Sequence, residues 1–362
     1  RDLADVFCTN ADGVRAERAL EWKLVDAIAK PQVFDAAVRE RAAKLAAQSA
    51  RASNAQGIKL TPLARTIDDA GLHYSALDVA LDRAARTATF TLRGPDGQQP
   101  HDLDAALKLG GQWWPLRLAR ELDDAILLLR TNELEIGTWL FKSQGSLEAV
   151  LATDALLAAN DTHWFTKEVI AFGRRTLRRL DVSSRSLLAV IEPSSCFAGT
   201  LFEVVLACDR SYMLDIEQNA PSVALSALNF APYTMGNGTT RLQTRFGGDA
   251  PELEAVRAAL GKSLATGDAR DLGLVTFTPD ELDWEEEVRV AIEERTSLSP
   301  DALTAMEASL RSGGAETMET RIFGRLSAWQ NWVFNRPNAT GERGALKVYG
   351  SGAKPKFDWE RA

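Results

Sequence analysis

Cysteine and histidine are scarce in this sequence. Its 362 residues include three cysteines and three histidines, namely Cys8, Cys196, Cys208, His73, His101 and His163. The cysteines are scattered, odd in number and without metal-ligand spacing, and we therefore expect no metal site and a reducing, cytoplasmic environment. We expect Cys196 and Cys208 to be small buried apolar residues. His163 precedes an aromatic pair, a position typical of a packed or capping residue rather than a catalytic base.

The sequence also lacks a basic excess and long apolar runs. A net charge of −8 and a pI near 5.2 argue against nucleic acid or an anionic membrane as the main partner. No apolar run approaches the roughly 20 residues that a membrane-spanning helix needs. The first five residues, RDLAD, are not typical of a signal peptide and contain no initiator methionine. The hydrophobic content of 45% and the length suit two domains with substantial cores.

The most informative stretch is residues 194–209, which follow a short apolar run at 187–191. The pattern predicts a buried strand, a turn of small residues and an amphipathic helix. Such a turn leaves backbone N–H groups free at the helix start, where they can hold an anion or a polarised carbonyl oxygen. Glu203 follows Gly199 and Thr200 by about one turn and is a candidate acid or base. The alternative is an ordinary buried strand–turn–helix unit in which the glutamate complements the helix dipole.

A second small-residue turn contains Gly145 and Ser146 and follows a predicted strand at 134–141. Further strands are predicted at 74–81, 87–92 and 210–214, separated by helical patterns. Alternating strands and helices imply right-handed βαβ crossovers and an α/β core. Because ligands bind at the carboxyl ends of parallel strands, we expect the two turns to lie side by side.

The chain contains an internal repeat. Residues 22–26, WKLVD, return as residues 272–276, LGLVT, at an offset of 250 residues, each after an alanine- and arginine-rich helix. This predicts the tail of one unit followed by a complete second unit. We expect trailing helices of a truncated first unit at 1–48, a linker at 49–72, a second domain at 73–336 and a C-terminal tail at 337–362.

Three motifs resemble those of the crotonase (enoyl-CoA hydratase/isomerase) superfamily. Residues 198–209, AGTLFEVVLACD, resemble its LGGGxELAxxCD signature, and residues 236–242 and 266–275 resemble two later motifs in the same order. The resemblance implies an α/β crotonase-like (ClpP/crotonase) fold with a βαβ-type core and a C-terminal helical region. It also implies an acyl-CoA thioester substrate, no metal or redox cofactor, and a homo-oligomer, with a dimer favoured.

The whole chain is similar to an unusual branch of this superfamily that carries two crotonase-like units in tandem. The resemblance rests on residues 4–9, 21–26 and 196–203. It implies a lyase of aerobic benzoate degradation that opens a ring epoxide of a CoA thioester with water, cleaves a carbon–carbon bond and releases formate. In that branch the leading unit holds the better-kept glycine turn, and this chain starts after it.

The resemblance assigns roles to five residues of the second unit. Gly199, Thr200, Gly145 and Ser146 would hold the thioester oxygen, and Glu203 would be the general acid or base. However, the triple glycine of the family is Gly-Thr-Leu here. The second carboxylate of the hydratases lies in a Pro-Glu dipeptide, which in this chain is Pro-Ser at 221–222. Two alternatives therefore stay open: a non-catalytic scaffold or dimerisation unit, and an enoyl-CoA hydratase or isomerase that uses Glu203 alone.

Overall fold

The computed structural model describes residues 2–50, 54–311, 314 and 316–361. The chain divides into two compact units, Arg1–Gly57 and Ile58–Ala362. The first unit contains helices α1 (Asp2–Cys8), α2 (Ala16–Glu21) and α3 (Phe34–Ala47), with a 3-10 turn at Pro31–Val33. Among the described residues of these elements none is buried, and apolar side chains such as Phe34 and Leu45 are more than half exposed.

The second unit is built on a mixed sheet whose strands follow one another in chain order. The first four strands pair antiparallel, whereas the fourth to the seventh pair parallel. The strands are β1 (Thr66–Asp68), β2 (Gly71–His73), β3 (Leu77–Asp82), β4 (Thr87–Arg93), β5 (Thr138–Gln144), β6 (Ser186–Ile191) and β7 (Arg210–Met213). Two short strands, β8 (Ser222–Val223) and β9 (Leu264–Ala265), form a separate antiparallel pair.

Helices connect the parallel strands and form the C-terminal region. Between the strands of the main sheet lie α4 (Leu103–Leu109), α5 (Trp114–Asn132), α6 (Leu147–Ala159), α7 (Trp164–Asp181) and α8 (Gly199–Ala207). They are followed by α9 (Arg241–Arg245), α10 (Ala250–Ala258), α11 (Thr266–Asp271), α12 (Trp284–Ser297), α13 (Pro300–Arg311), α14 (Met318–Arg321), α15 (Ser327–Phe334), α16 (Pro337–Thr340) and α17 (Ala345–Val348). Short 3-10 turns lie at Gly110–Gln112 and Ala227–Phe230, and a π-helical turn lies at Ile322–Leu326.

The core forms where the parallel strands are covered by helices. Every residue of β6 is buried, as expected for a strand covered on both faces. Phe90 on β4 stacks on Phe141 of β5 with ring centroids 4.7 Å apart, and both side chains are fully buried. Burying such a ring contributes about 1.5–3 kcal/mol. His163 caps α7 by accepting from the N–H of Phe165, in agreement with its predicted role.

The predicted α/β core with βαβ crossovers and a C-terminal helical region is confirmed. The segment predicted as a linker, 49–72, contains β1 and most of β2, and its residues 51–53 lie outside the described part of the chain. In the segment predicted as a C-terminal tail, Asn338 is buried and its amide donates to Asp301 at 2.9 Å. None of the helices in the described residues combines the length and the apolar character that a membrane crossing requires.

Candidate active site

The structure brings the two small-residue turns together at the carboxyl ends of β5 and β6. The N–H of Gly145 donates to the carbonyl of Ser194 at 3.2 Å. The N–H of Cys196 donates to the hydroxyl of Ser143 at 3.0 Å. Cys196 itself is fully buried, and burial raises the pKa of its thiol to about 11. The turns are therefore joined directly to each other by hydrogen bonds.

A buried carboxylate of the chain itself lies at the start of α8. Asp154 on α6 accepts from the Thr200 N–H at 2.8 Å, the Thr200 hydroxyl at 2.6 Å and the Ser226 hydroxyl at 2.6 Å. Burial raises its pKa to about 6, although these three hydrogen bonds act in the opposite direction. A helix start favours an anion because of its free N–H groups and dipole. Here Asp154 supplies that anion.

Gly199, the first residue of α8, fits this internal contact. Its φ of +44° lies in the region that favours glycine, and its N–H donates to the carbonyl of Ala224 at 3.0 Å. A Cβ atom at this position would lie 1.9 Å from Asp154 Oδ2. The glycine is thus required by the approach of Asp154 as well as by the backbone conformation.

The remaining predicted thioester-binding residues also have internal roles. Ser146 caps α6, because its hydroxyl accepts from the Ala149 N–H at 3.1 Å and donates to Glu148 at 2.8 Å. The N–H groups of Gly145, Gly199 and Thr200 each have an acceptor within the chain. A thioester oxygen could use the N–H of Thr200 only after Asp154 had moved away.

Glu203 lies in a buried ion-pair network. Its Oε1 accepts from the Asn229 amide at 2.8 Å, and its Oε2 accepts from Arg241 Nη1 at 3.1 Å. Arg241 also donates through Nη2 to Asp181 at 2.8 Å. Burial raises the pKa of Glu203 to about 7, while Arg241 and Asn229 oppose that rise. Both oxygens are in use and the residue is fully buried, so proton exchange with a substrate would require this network to open.

The space beside Thr200 is small. A cavity of about 40 Å³ is lined mostly by apolar side chains, together with Thr200 and Tyr233. Sites for drug-sized ligands are typically about 300–1,000 Å³. In this conformation the cavity is therefore too small for the acyl part of an aromatic thioester.

Sequence reasoning missed several residues of this network. Asp154 had one signal, since it is an isolated carboxylate among LATDALLAA in a helix whose inner face is apolar. Arg241 was part of a recognised motif without an assigned role. Ser226 and Asn229 form a capping box with each other, but their contacts to Asp154 and Glu203 span 72 and 26 residues and had no local signal. Among the described residues, no group of three or more metal-ligating side chains comes together.

Comparison with solved structures defines the fold. An enoyl-CoA hydratase of Bacillus anthracis matches 79% of this chain and 100% of its own, with a TM-score of 0.55 and 17% identity. An enoyl-CoA hydratase/isomerase of Cupriavidus metallidurans matches 79% of this chain and 97% of its own, with a TM-score of 0.55 and 17% identity. The chain therefore has the crotonase fold that the sequence motifs predicted.

Comparison with curated sequences gives a narrower likeness. The chain is 54% identical over 361 residues to the benzoyl-CoA-dihydrodiol lyase of Aromatoleum evansii. The match covers 100% of this chain and 65% of the lyase, so the chain spans just under two thirds of the length of that relative. No model of a protein family matches the sequence.

Proposed function

We propose that this chain is part of a carbon–carbon lyase that acts on a CoA thioester in aerobic benzoate degradation. The reaction would convert 2,3-epoxy-2,3-dihydrobenzoyl-CoA and water to 3,4-didehydroadipyl-CoA semialdehyde and formate. The observation that carries the proposal is the 54% identity to benzoyl-CoA-dihydrodiol lyase along 361 residues. The crotonase fold supports it, because that fold is shared with enzymes named for acyl-CoA substrates. No metal or redox cofactor is needed for this proposal.

Within that lyase, we propose a supporting role for the domain at 58–362. Thr200 donates to Asp154, and Glu203 is held between Asn229 and Arg241. These contacts occupy the groups that a thioester oxygen and a proton transfer would need. The alternative is a hydratase or isomerase site at Glu203, which would require the network to rearrange on substrate binding.

The first unit leads to a related proposal. Helices α1–α3 bury none of their described residues and leave apolar side chains exposed, among them Phe7, Phe34 and Val38. Such helices need a covering surface. We propose that residues 2–50 are the trailing helices of a further crotonase-like unit, in a cytoplasmic homo-oligomer, with a dimer favoured.

The decisive assay is formate release from 2,3-epoxy-2,3-dihydrobenzoyl-CoA by the protein that contains this chain. We expect turnover by the unmodified protein, and turnover within about twofold of it for Glu203→Gln, because the amide keeps the buried shape and one acceptor. Removal of a general acid or base typically costs about 10²–10⁴-fold in rate.

The matched control is Glu252→Gln, an exposed glutamate on α10. A loss of 100-fold in a folded Glu203→Gln protein, with Glu252→Gln unaffected, would establish Glu203 as a catalytic residue. Absence of formate release from the unmodified protein would contradict the lyase proposal itself. Isothermal titration with benzoyl-CoA, repeated on Glu203→Gln, separates a loss of binding from a loss of chemistry.

A further inference from the structure

An arginine-rich cavity lies at the amino end of β7, whereas Thr200 lies near the carboxyl ends of the parallel strands. Its volume is about 500 Å³, and it lies among the ends of α7 and α8, the first residue of β7, and helices α9, α12 and α13. Five guanidinium groups line it, those of Arg210, Arg241, Arg245, Arg295 and Arg311. The carboxylates in its lining are those of Asp181 and Asp209.

Three of the five arginines have carboxylate partners. Arg241 pairs with Asp181 and Glu203 as described above, at 2.8 and 3.1 Å. Arg311 pairs with Asp209 at 2.9 Å and with Glu307 at 3.1 Å, and Arg295 shares Glu307 at 3.2 Å. Burial and the charge of Asp209 raise the pKa of Glu307, which weakens its negative charge near neutral pH.

The other two arginines have no carboxylate partner among the described residues. Arg245 donates its Nε–H to the carbonyl of Gly273 at 2.5 Å, which leaves the two terminal nitrogens for other acceptors. Burial lowers the pKa of Arg245, a sign of a cation that has lost water without gaining a counter-ion. Arg210 is half-buried at the start of β7. A partly buried cation without a counter-ion is costly, and a bound anion would offset that cost.

We propose that this cavity binds the phosphate groups of a small phosphorylated molecule, with Arg210 and Arg245 as the principal donors. Guanidinium groups recognise phosphate oxygens through paired, charge-assisted hydrogen bonds. The volume exceeds what a single phosphate fills and falls within the range of small-molecule sites. Arg241, Arg295 and Arg311 already pair with carboxylates, so the charge open to a ligand is that of Arg210 and Arg245, and two cations favour an anion with more than one negative oxygen.

This site is distinct from the turn that the sequence pointed to. Gly199 is the first and Ala207 the last of the nine residues of α8, and Ala207 lines the cavity. At 1.5 Å per residue the two ends are roughly 12 Å apart. The inference therefore does not depend on the lyase proposal, and either one can fail alone.

The test is isothermal titration with sodium pyrophosphate and, separately, with adenosine 3′,5′-bisphosphate, at matched ionic strength. We expect binding to the unmodified protein that weakens about tenfold or more in Arg210→Gln and in Arg245→Gln, because each loses a charge-assisted contact. Arg210→Lys keeps the charge but cannot form paired hydrogen bonds to phosphate. Its affinity should lie between those of the unmodified protein and Arg210→Gln. The control is Arg289→Gln, an exposed arginine of α12 that pairs with Glu293 on its own helix.

The two probes distinguish the source of the phosphate. Tighter binding of pyrophosphate indicates an inorganic or simple diphosphate ligand, and tighter binding of the bisphosphate indicates a nucleotide. If the melting temperature of Arg245→Gln is well below that of the unmodified protein, the proposal is tested by the affinity of Arg210→Gln alone. Failure of both probes to bind, or equal affinity in the unmodified protein and Arg210→Gln, would overturn the proposal.

Discussion

Replacing Arg241 with methionine should lower the free energy of unfolding by about 3–5 kcal/mol, because it leaves buried carboxylates without their cation. Arg241 is 2% exposed and Glu203 is fully buried. The change removes the 3.1 Å contact to Glu203 and the 2.8 Å contact to Asp181 together. Urea denaturation of the unmodified and variant proteins measures the difference.

The loss should also depend on pH. The pKa of Glu203 is about 7 with Arg241 present, against an ordinary value of 4.5, and removing the cation raises it further. A carboxyl whose folded pKa exceeds its unfolded pKa contributes stability below the unfolded value, and this contribution is lost as pH rises through the folded pKa. The cost of Arg241→Met should therefore be smaller at pH 5 than at pH 8.

Two further variants separate this ion pair from general effects of mutation. Adding Glu203→Gln to Arg241→Met should restore part of the stability, since the double variant buries no unpaired charge at position 203. Arg257→Met is the control, because Arg257 pairs with Glu254 on the exposed surface of α10. Such a surface pair is worth about 0–1 kcal/mol. A cost for Arg241→Met as small as that of Arg257→Met would show that the network is not structural.

The sequence carried enough information to predict the fold. The apolar run at 187–191 became the fully buried strand β6, and the turn after it became the start of α8. These elements follow from local patterns, namely β-branched apolar residues, small turn residues and helical spacing. The same patterns placed the turns at Gly145 and Gly199 at one edge of the sheet.

Strands β1 and β2 lie in or at the end of the segment predicted as a linker, and local sequence did not indicate them for a physical reason. All three residues of β1 are exposed, so the strand carries none of the alternation that identifies a half-buried strand. Strand β2 is only three residues long. Strand β2 pairs with β3 and β1 pairs with β2, so both depend on a partner strand, which is an effect that their own sequence patterns do not encode.

The chemistry of the candidate site could not be predicted locally. A glutamate after a glycine turn, such as Glu203, has the same local sequence whether its role is catalytic or structural. Its hydrogen-bond partners distinguish the two roles. Those partners, Asn229 and Arg241, lie 26 and 38 residues later in the chain. The partner of Thr200 lies 46 residues earlier, on a helix that the sequence presents as apolar. Contacts between residues so far apart in the sequence depend on how the helices pack.

Replacing Asp154 with alanine should lower the free energy of unfolding by about 3–5 kcal/mol. The change leaves the Thr200 N–H and the Ser226 hydroxyl without their acceptor, and the Thr200 hydroxyl keeps only the Tyr233 oxygen at 3.2 Å. Each buried donor left unpaired costs about 1–3 kcal/mol. Asp154→Asn is the matched control and should cost about 1–2 kcal/mol, because its one carbonyl oxygen can still accept from the Thr200 N–H and Ser226. Thermal or urea unfolding of both variants provides the comparison.

A double-mutant cycle with Gly199→Ala tests whether Asp154 is the reason for the glycine. The new Cβ would lie 1.9 Å from the Asp154 carboxylate, whereas Asp154→Ala removes that clash and leaves only the cost of the positive φ and the 2.9 Å approach of Ser226. Gly199→Ala should therefore cost less in the Asp154→Ala background, with a coupling of about 1–3 kcal/mol. Additive effects would mean that the positive φ and the approach of Ser226 select glycine without a contribution from Asp154. A measured coupling would show that the helix start is shaped around a carboxylate of the chain, which is what a supporting domain requires and an open thioester site does not.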